Sequence, residues 1–178
     1  MLAGLRRANR HVAHAAGAAY LGCAVLVVLD ILLRRVGAGF GGTDEIAGYV
    51  MAVATAWGLS WALTERAHVR IDLVRGRLPG QGRAMLDILA MLALSGVALA
   101  VAWRCWPVLE RSLLNGSRAN TPLETPFAWA QAPWLAGWAW FALTCLALTA
   151  IAAAEALRGR PDAVDAAIGL VPEEAETA

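Results

Sequence analysis

The sequence predicts an all-α membrane protein of four transmembrane helices, with an interfacial amphipathic segment between the second and the third. Three observations predict it. Hydrophobic residues make up 59% of the 178 residues, above the roughly 45–50% of soluble domains, and mean hydropathy is +0.55. Charge-free stretches run from Ala15 to Leu29, Ile46 to Thr64, Ile88 to Trp103 and Trp134 to Ala154. Each approaches the roughly twenty apolar residues that a helix needs to cross a hydrocarbon core about 30 Å thick. Alanine and leucine dominate these stretches and strand-like alternation is missing. Helices, whose backbone bonds close within the segment, are what hydrocarbon then permits.

The expected domain is residues 1–157, with spans at about 14–33, 44–64, 84–106 and 133–157, followed by a cytoplasmic tail at 158–178. Arginines ahead of the first apolar run imitate a secretory signal. The run reaches Leu33 with only Asp30 interrupting it and no small-x-small site closing it, which favours a retained first helix. Gly37, Gly39, Gly41 and Gly42 make a flexible link. Thr43 is the expected cap of the second helix, with Asp44 and Glu45 in its first turn against the positive end of the helix dipole. From His68 to Leu78, apolar residues alternate with His68, Arg70, Asp72 and further arginines, a pattern for an arm lying along the membrane surface. Pro79, Gly80 and Gly82 break the chain before the third span, Pro107 is expected to end it, and Pro133 to open the fourth. The stretch beyond Arg158 reads as a solvated tail with a fraying helix around 163–170.

All fifteen basic residues are arginine. Arg6, Arg7, Arg10, Arg66, Arg70, Arg75, Arg77, Arg83, Arg158 and Arg160 fall on one side of the expected spans, and Arg34, Arg35, Arg104, Arg111 and Arg118 on the other. Ten against five places both termini in the cytoplasm by the positive-inside rule. These arginines bracket apolar runs instead of crowding one soluble face, which excludes a nucleic-acid partner and leaves the lipid bilayer as the first one. Trp103, Trp106, Trp129 and Trp134 lie near span ends, as membrane anchors do. Trp57 and Trp61 are expected to share one face of the second helix. Gly48 with Ala52, Ala54 with Gly58, and Gly96 with Ala100 are spaced for close helix contact. Cys23, Cys105 and Cys145 spell neither a metal knuckle nor a redox pair.

Ionisable groups near a bilayer are costly and demand a reason. Asp30, Arg34, Arg35, Asp44 and Glu45 gather at one membrane depth, with Asp30 and Arg34 four apart on a helix. They are either structural ion pairs fixing how the first two helices meet or an interface for a partner. Asp87 is expected to pair with Arg83. No nucleophile with its base and no phosphate cradle is spelled, so the chain is not read as an enzyme and no cofactor is assigned to it.

The order Asp30, Arg34-Arg35, Asp44-Glu45, Gly58 and His68-Val69-Arg70-Ile71-Asp72, with Thr121-Pro122-Leu123 to Pro133 ahead of the last span, resembles the small permease subunit of tripartite ATP-independent periplasmic (TRAP) transporters, the DctQ family. Thr43 stands where many members carry tryptophan. The resemblance implies a bacterial inner-membrane complex with a large TRAP membrane subunit that binds sodium and carries the substrate. It also implies a periplasmic substrate-binding protein that selects an organic acid, and a static, scaffolding role for this chain. A membrane anchor subunit of a redox complex is the alternative. It would need paired histidines for haem, and the histidines are His11, His14 and His68.

Overall fold

A computed structural model describes residues 2–68 and 75–169. Five α-helices are found there: α1 (Leu2–Arg34), α2 (Thr43–Thr64), α3 (Gly80–Leu114), α4 (Phe127–Leu157) and α5 (Pro161–Ile168), with a 3-10 turn at Arg75–Arg77 before α3. The first four are each long and apolar enough to cross a membrane, as the composition predicts.

Their boundaries differ from the expected ones because hydropathy marks where lipid is, while backbone hydrogen bonds continue into the headgroup region. α1 is 33 residues, about 50 Å at helical rise, and begins at Leu2, far ahead of residue 14. Leu2 and Leu5 rest against the core. Pro107 does not end the helix of the third span, since α3 continues past it to Leu114. Pro133 likewise lies inside α4, which starts after Pro126. Proline removes one donor from the ladder, a loss that neighbouring helices can make good. Thr43 is not the cap of α2. Gly42 holds that position at φ 73°, and Thr43 is the first, buried, helical residue.

The long helices end alike. Ala38 N–H reaches the Leu33 carbonyl and Gly37 N–H that of Arg34, the paired bonds of a Schellman cap. The same pattern recurs at Arg66, Gly116 and Gly159, at the ends of α2, α3 and α4. A positive φ at the turning residue suits glycine, and Arg66 adopts it at 59° without that freedom.

Packing follows the order α1, α2, α4, α3: each helix lies against the next, and α4 touches both α2 and α3. This is an open row, unlike a ring-closed bundle. Its core is Met91 and Ala98 of α3, Phe141, Cys145, Leu148 and Ala152 of α4, and Leu63 of α2. Close approach occurs at Gly137, where a Cβ would stand 2.9 Å from Ala56 Cβ and from Trp57 Cδ1. Added Cβ atoms at Gly48, Gly58 and Gly96 would meet nothing within 4 Å, so these expected contact glycines line no internal contact.

The expectation of a solvated tail is corrected over α5. Val164 and Ile168 are 0% and 2% exposed and join the core over α3 and α4. Val164, Ala167 and Ile168 fall three and four apart, the spacing of one apolar helical face. Residues 170–178 lie outside the described residues.

Candidate functional site

The interhelical polar contacts sort into two ends and a middle. At one end Asp30, 1% exposed, is enclosed by its own hairpin. Its carboxylate accepts Arg34 Nε at 2.8 Å, with a guanidinium nitrogen at 2.6 Å. The Phe40 backbone N–H donates to its other oxygen at 2.8 Å. The Thr43 hydroxyl lies nearby, outside hydrogen-bond geometry. The link must pass close to do this: a Cβ at Gly39 would lie 2.5 Å from Arg34 Cγ. A charged donor and a backbone N–H together satisfy a carboxylate that desolvation would otherwise penalise.

Glu45 turns elsewhere. It accepts the Tyr49 hydroxyl at 2.7 Å and the hydroxyl of Thr121, in the link between α3 and α4. That link is folded by Ala119 N–H to the Thr125 carbonyl and Phe127 N–H to the Ser117 carbonyl. Its Leu123 sits on Gly42, where a Cβ would come within 2.5 Å of Leu123 Cγ. Arg35 and Asp44 are exposed and form no ion pair among the described residues. The five charges are therefore two separate fastenings plus two exposed groups, of which Asp44 is within electrostatic reach of Arg34. Sequence reasoning missed the Thr121 partner because it stands 76 residues from Glu45.

At the opposite end Asp87 is buried, and its partner is Arg75, not Arg83. Arg75 Nε meets both Asp87 oxygens at 3.0 and 3.2 Å, while Arg83 donates to the Leu78 carbonyl. Arg75 also pairs with Asp165 of α5. Hydrogen bonding to Asp87 raises the Arg75 pKa above its ordinary value, against the opposing effect of burial. Arg66 donates to the Ala166 carbonyl at 2.5 Å, so α2, the 3-10 turn, α3 and α5 are tied together. His68 is half-buried with its ring 6.4 Å from that of Phe141. Arg70 and Asp72, with the rest of residues 69–74 of the expected interfacial arm, lie outside the described residues.

Near the start of α1, Asn9 is fully buried, donating to the Ser60 carbonyl at 3.2 Å and accepting from Trp140 Nε1 at 2.8 Å. The Tyr20 and Thr55 hydroxyls are 2.7 Å apart, and those of Ser95 and Thr149 3.1 Å. Trp57 donates to the Pro133 carbonyl at 2.9 Å. Trp57 and Trp61, one turn apart on α2, line different grooves, one on each side of the seam between α1 and α2. Trp103, Trp106 and Trp129 are exposed, and Trp134 is half-buried beside Trp138 over α2.

No group of three or more metal-ligating side chains is found among the described residues. What the arrangement does chemically is hold helices in fixed register. Comparison with curated proteins and with solved structures found no match. The family described as "Tripartite ATP-independent periplasmic transporters, DctQ component" matches residues 23–159, from the middle of α1 through the whole of α4. The chain belongs to this DctQ family, as a multi-pass, inner-membrane small subunit of a TRAP transporter.

Proposed function

We propose that the chain is the stationary scaffold for the large TRAP membrane subunit in binding-protein-dependent, ion-gradient-driven uptake of an organic acid. The observation that carries this reading is the open row of helices. Its members are cross-linked by Asn9, Tyr20, Trp57 and Ser95, yet both of its broad faces remain apolar and unpartnered. A row pinned in this way resists relative tilting and leaves a wide surface for a larger partner. Sodium and substrate belong, in this reading, to the large subunit, and the periplasmic binding protein selects the organic acid. The arginine bias of ten to five supports cytoplasmic termini, with the Asp30 and Glu45 fastenings facing the periplasm.

The exposed Arg35 and Asp44, beside those fastenings, are the groups of the hairpin that remain open to a docking protein. Reconstituted uptake tests the proposal. With the binding protein present, proteoliposomes holding both membrane subunits should accumulate substrate and those holding the large subunit alone should not. Equal uptake without this chain would end the scaffold reading. The family match favours this role over the redox anchor.

A further inference from the structure

The seam between α1 and α2 carries a groove on each side. One, of about 590 Å³, is lined by Val12, Ala16, Ala19, Val53, Trp57 and Trp129 among others, and no charged side chain enters it. The other, of about 640 Å³, is different: Arg10 and His14 stand at one end, Gly17, Gly58 and Trp61 line its course, and Tyr20 closes it. Arg10 and Tyr20 are ten residues apart on α1, about 15 Å at helical rise, which is one leaflet of a hydrocarbon core about 30 Å thick.

The two ends differ chemically. At the closed end the Tyr20 hydroxyl is already engaged by Thr55 and by the Met51 carbonyl. At the open end Arg10 is exposed and in no ion pair among the described residues. Between them the bed is open, with nothing within 4 Å of a Cβ added at Gly17 or Gly58. A helix of the partner subunit would use the seam through its whole membrane depth, whereas this groove stops at the Tyr20–Thr55 bridge.

We propose that this groove is a binding site for one anionic phospholipid, its phosphate on Arg10 beside His14 and an acyl chain lying along Gly17 and Gly58. An uncompensated cation at the end of a channel one leaflet long matches that ligand in charge and in reach. The α1 wall of the groove precedes residue 23, outside the family match. Placement in the cytoplasmic leaflet, where anionic lipid is enriched, rests on the orientation proposed above; the site itself does not.

Native mass spectrometry of the purified full chain, delipidated and then offered phosphatidylglycerol or phosphatidylethanolamine, tests it. Wild type should retain phosphatidylglycerol preferentially. Arg10→Ala should reduce that preference about fivefold, the effect of one basic side chain at an anionic lipid surface, and Arg10→Lys should keep most of it. Arg7→Ala, on the same helix but not in the groove, should leave it unchanged. Gly17→Leu, which fills the groove, should lose retention of both lipids. Equal retention of the two lipids by wild type, or an Arg7→Ala loss as large as that of Arg10→Ala, overturns the site in favour of unspecific charge. If Gly17→Leu keeps phosphatidylglycerol but no longer co-purifies with the large subunit, the groove belongs to a partner helix and the lipid proposal fails.

Discussion

A carboxylate inside a membrane helix is tolerated when its oxygens are occupied, and Asp30 has Arg34 on one and the Phe40 N–H on the other. Asp30→Ala should therefore loosen the first hairpin, read as faster protease cleavage between residues 35 and 42, while Asp30→Asn, which can still accept from Phe40, should do so less. Gly137 holds the helices by the opposite means, having no side chain at all. Gly137→Ala places a methyl 2.9 Å from Ala56 Cβ and should cost about 1–3 kcal/mol by overpacking, whereas Gly58→Ala meets open space and should be neutral or slightly stabilising. Denaturation in mixed detergent measures both. The Asp30–Arg34 pair was legible in the sequence because helical spacing makes residues four apart neighbours. Gly137 was not, because every small-residue pair in an alanine-rich helix looks alike until the partner helix is known. Asp87 shows the same limit: Arg83 satisfies the spacing rule, yet Arg75 wins by meeting both carboxylate oxygens.

At the scale of elements, the existence of the four long helices was legible because hydropathy reports lipid directly, and their ends were not because caps are local backbone events. The Schellman glycines Gly37, Gly116 and Gly159 mark three of those ends, and only Gly37 stood out beforehand, as part of a glycine-rich link. α5 carried a readable signal, since Val164, Ala167 and Ile168 share one face, but eight residues among charges and a proline look equally like a tail. Its docking gives a test. Val164→Asp places a carboxylate where exposure is 0% and should undock α5, so that trypsin cuts after Arg158, with the exposed Asp162→Ala as an uncut control. Arg75→Ala should destabilise the same end by about 2 kcal/mol, since it removes the charge-assisted hydrogen bonds that one guanidinium makes to Asp87 and to Asp165 of α5.

The whole molecule is governed by the fact that α1, whose apolar stretch equals that of α3 in hydropathy, is its least covered long helix. Only 6% of the most apolar window of α1 is buried, against 44% for α4, which sits between two neighbours. Hydropathy could not order the helices, because lipid and a protein partner favour the same apolar side chains. The order is set instead by particular contacts: Asn9 with Ser60 and Trp140, Gly137 on α2, and Ser95 with Thr149. In a closed bundle α1 would also touch α3. Cysteine pairs distinguish the two arrangements once Cys23, Cys105 and Cys145 are replaced. Ser95→Cys with Thr149→Cys, two short side chains whose hydroxyls lie 3.1 Å apart, should join under mild oxidation. Val25→Cys with Val97→Cys, exposed on the two outermost helices, should not. A bond between that last pair within one chain would mean that the row closes on itself, and the broad apolar faces offered to the large subunit would then not exist.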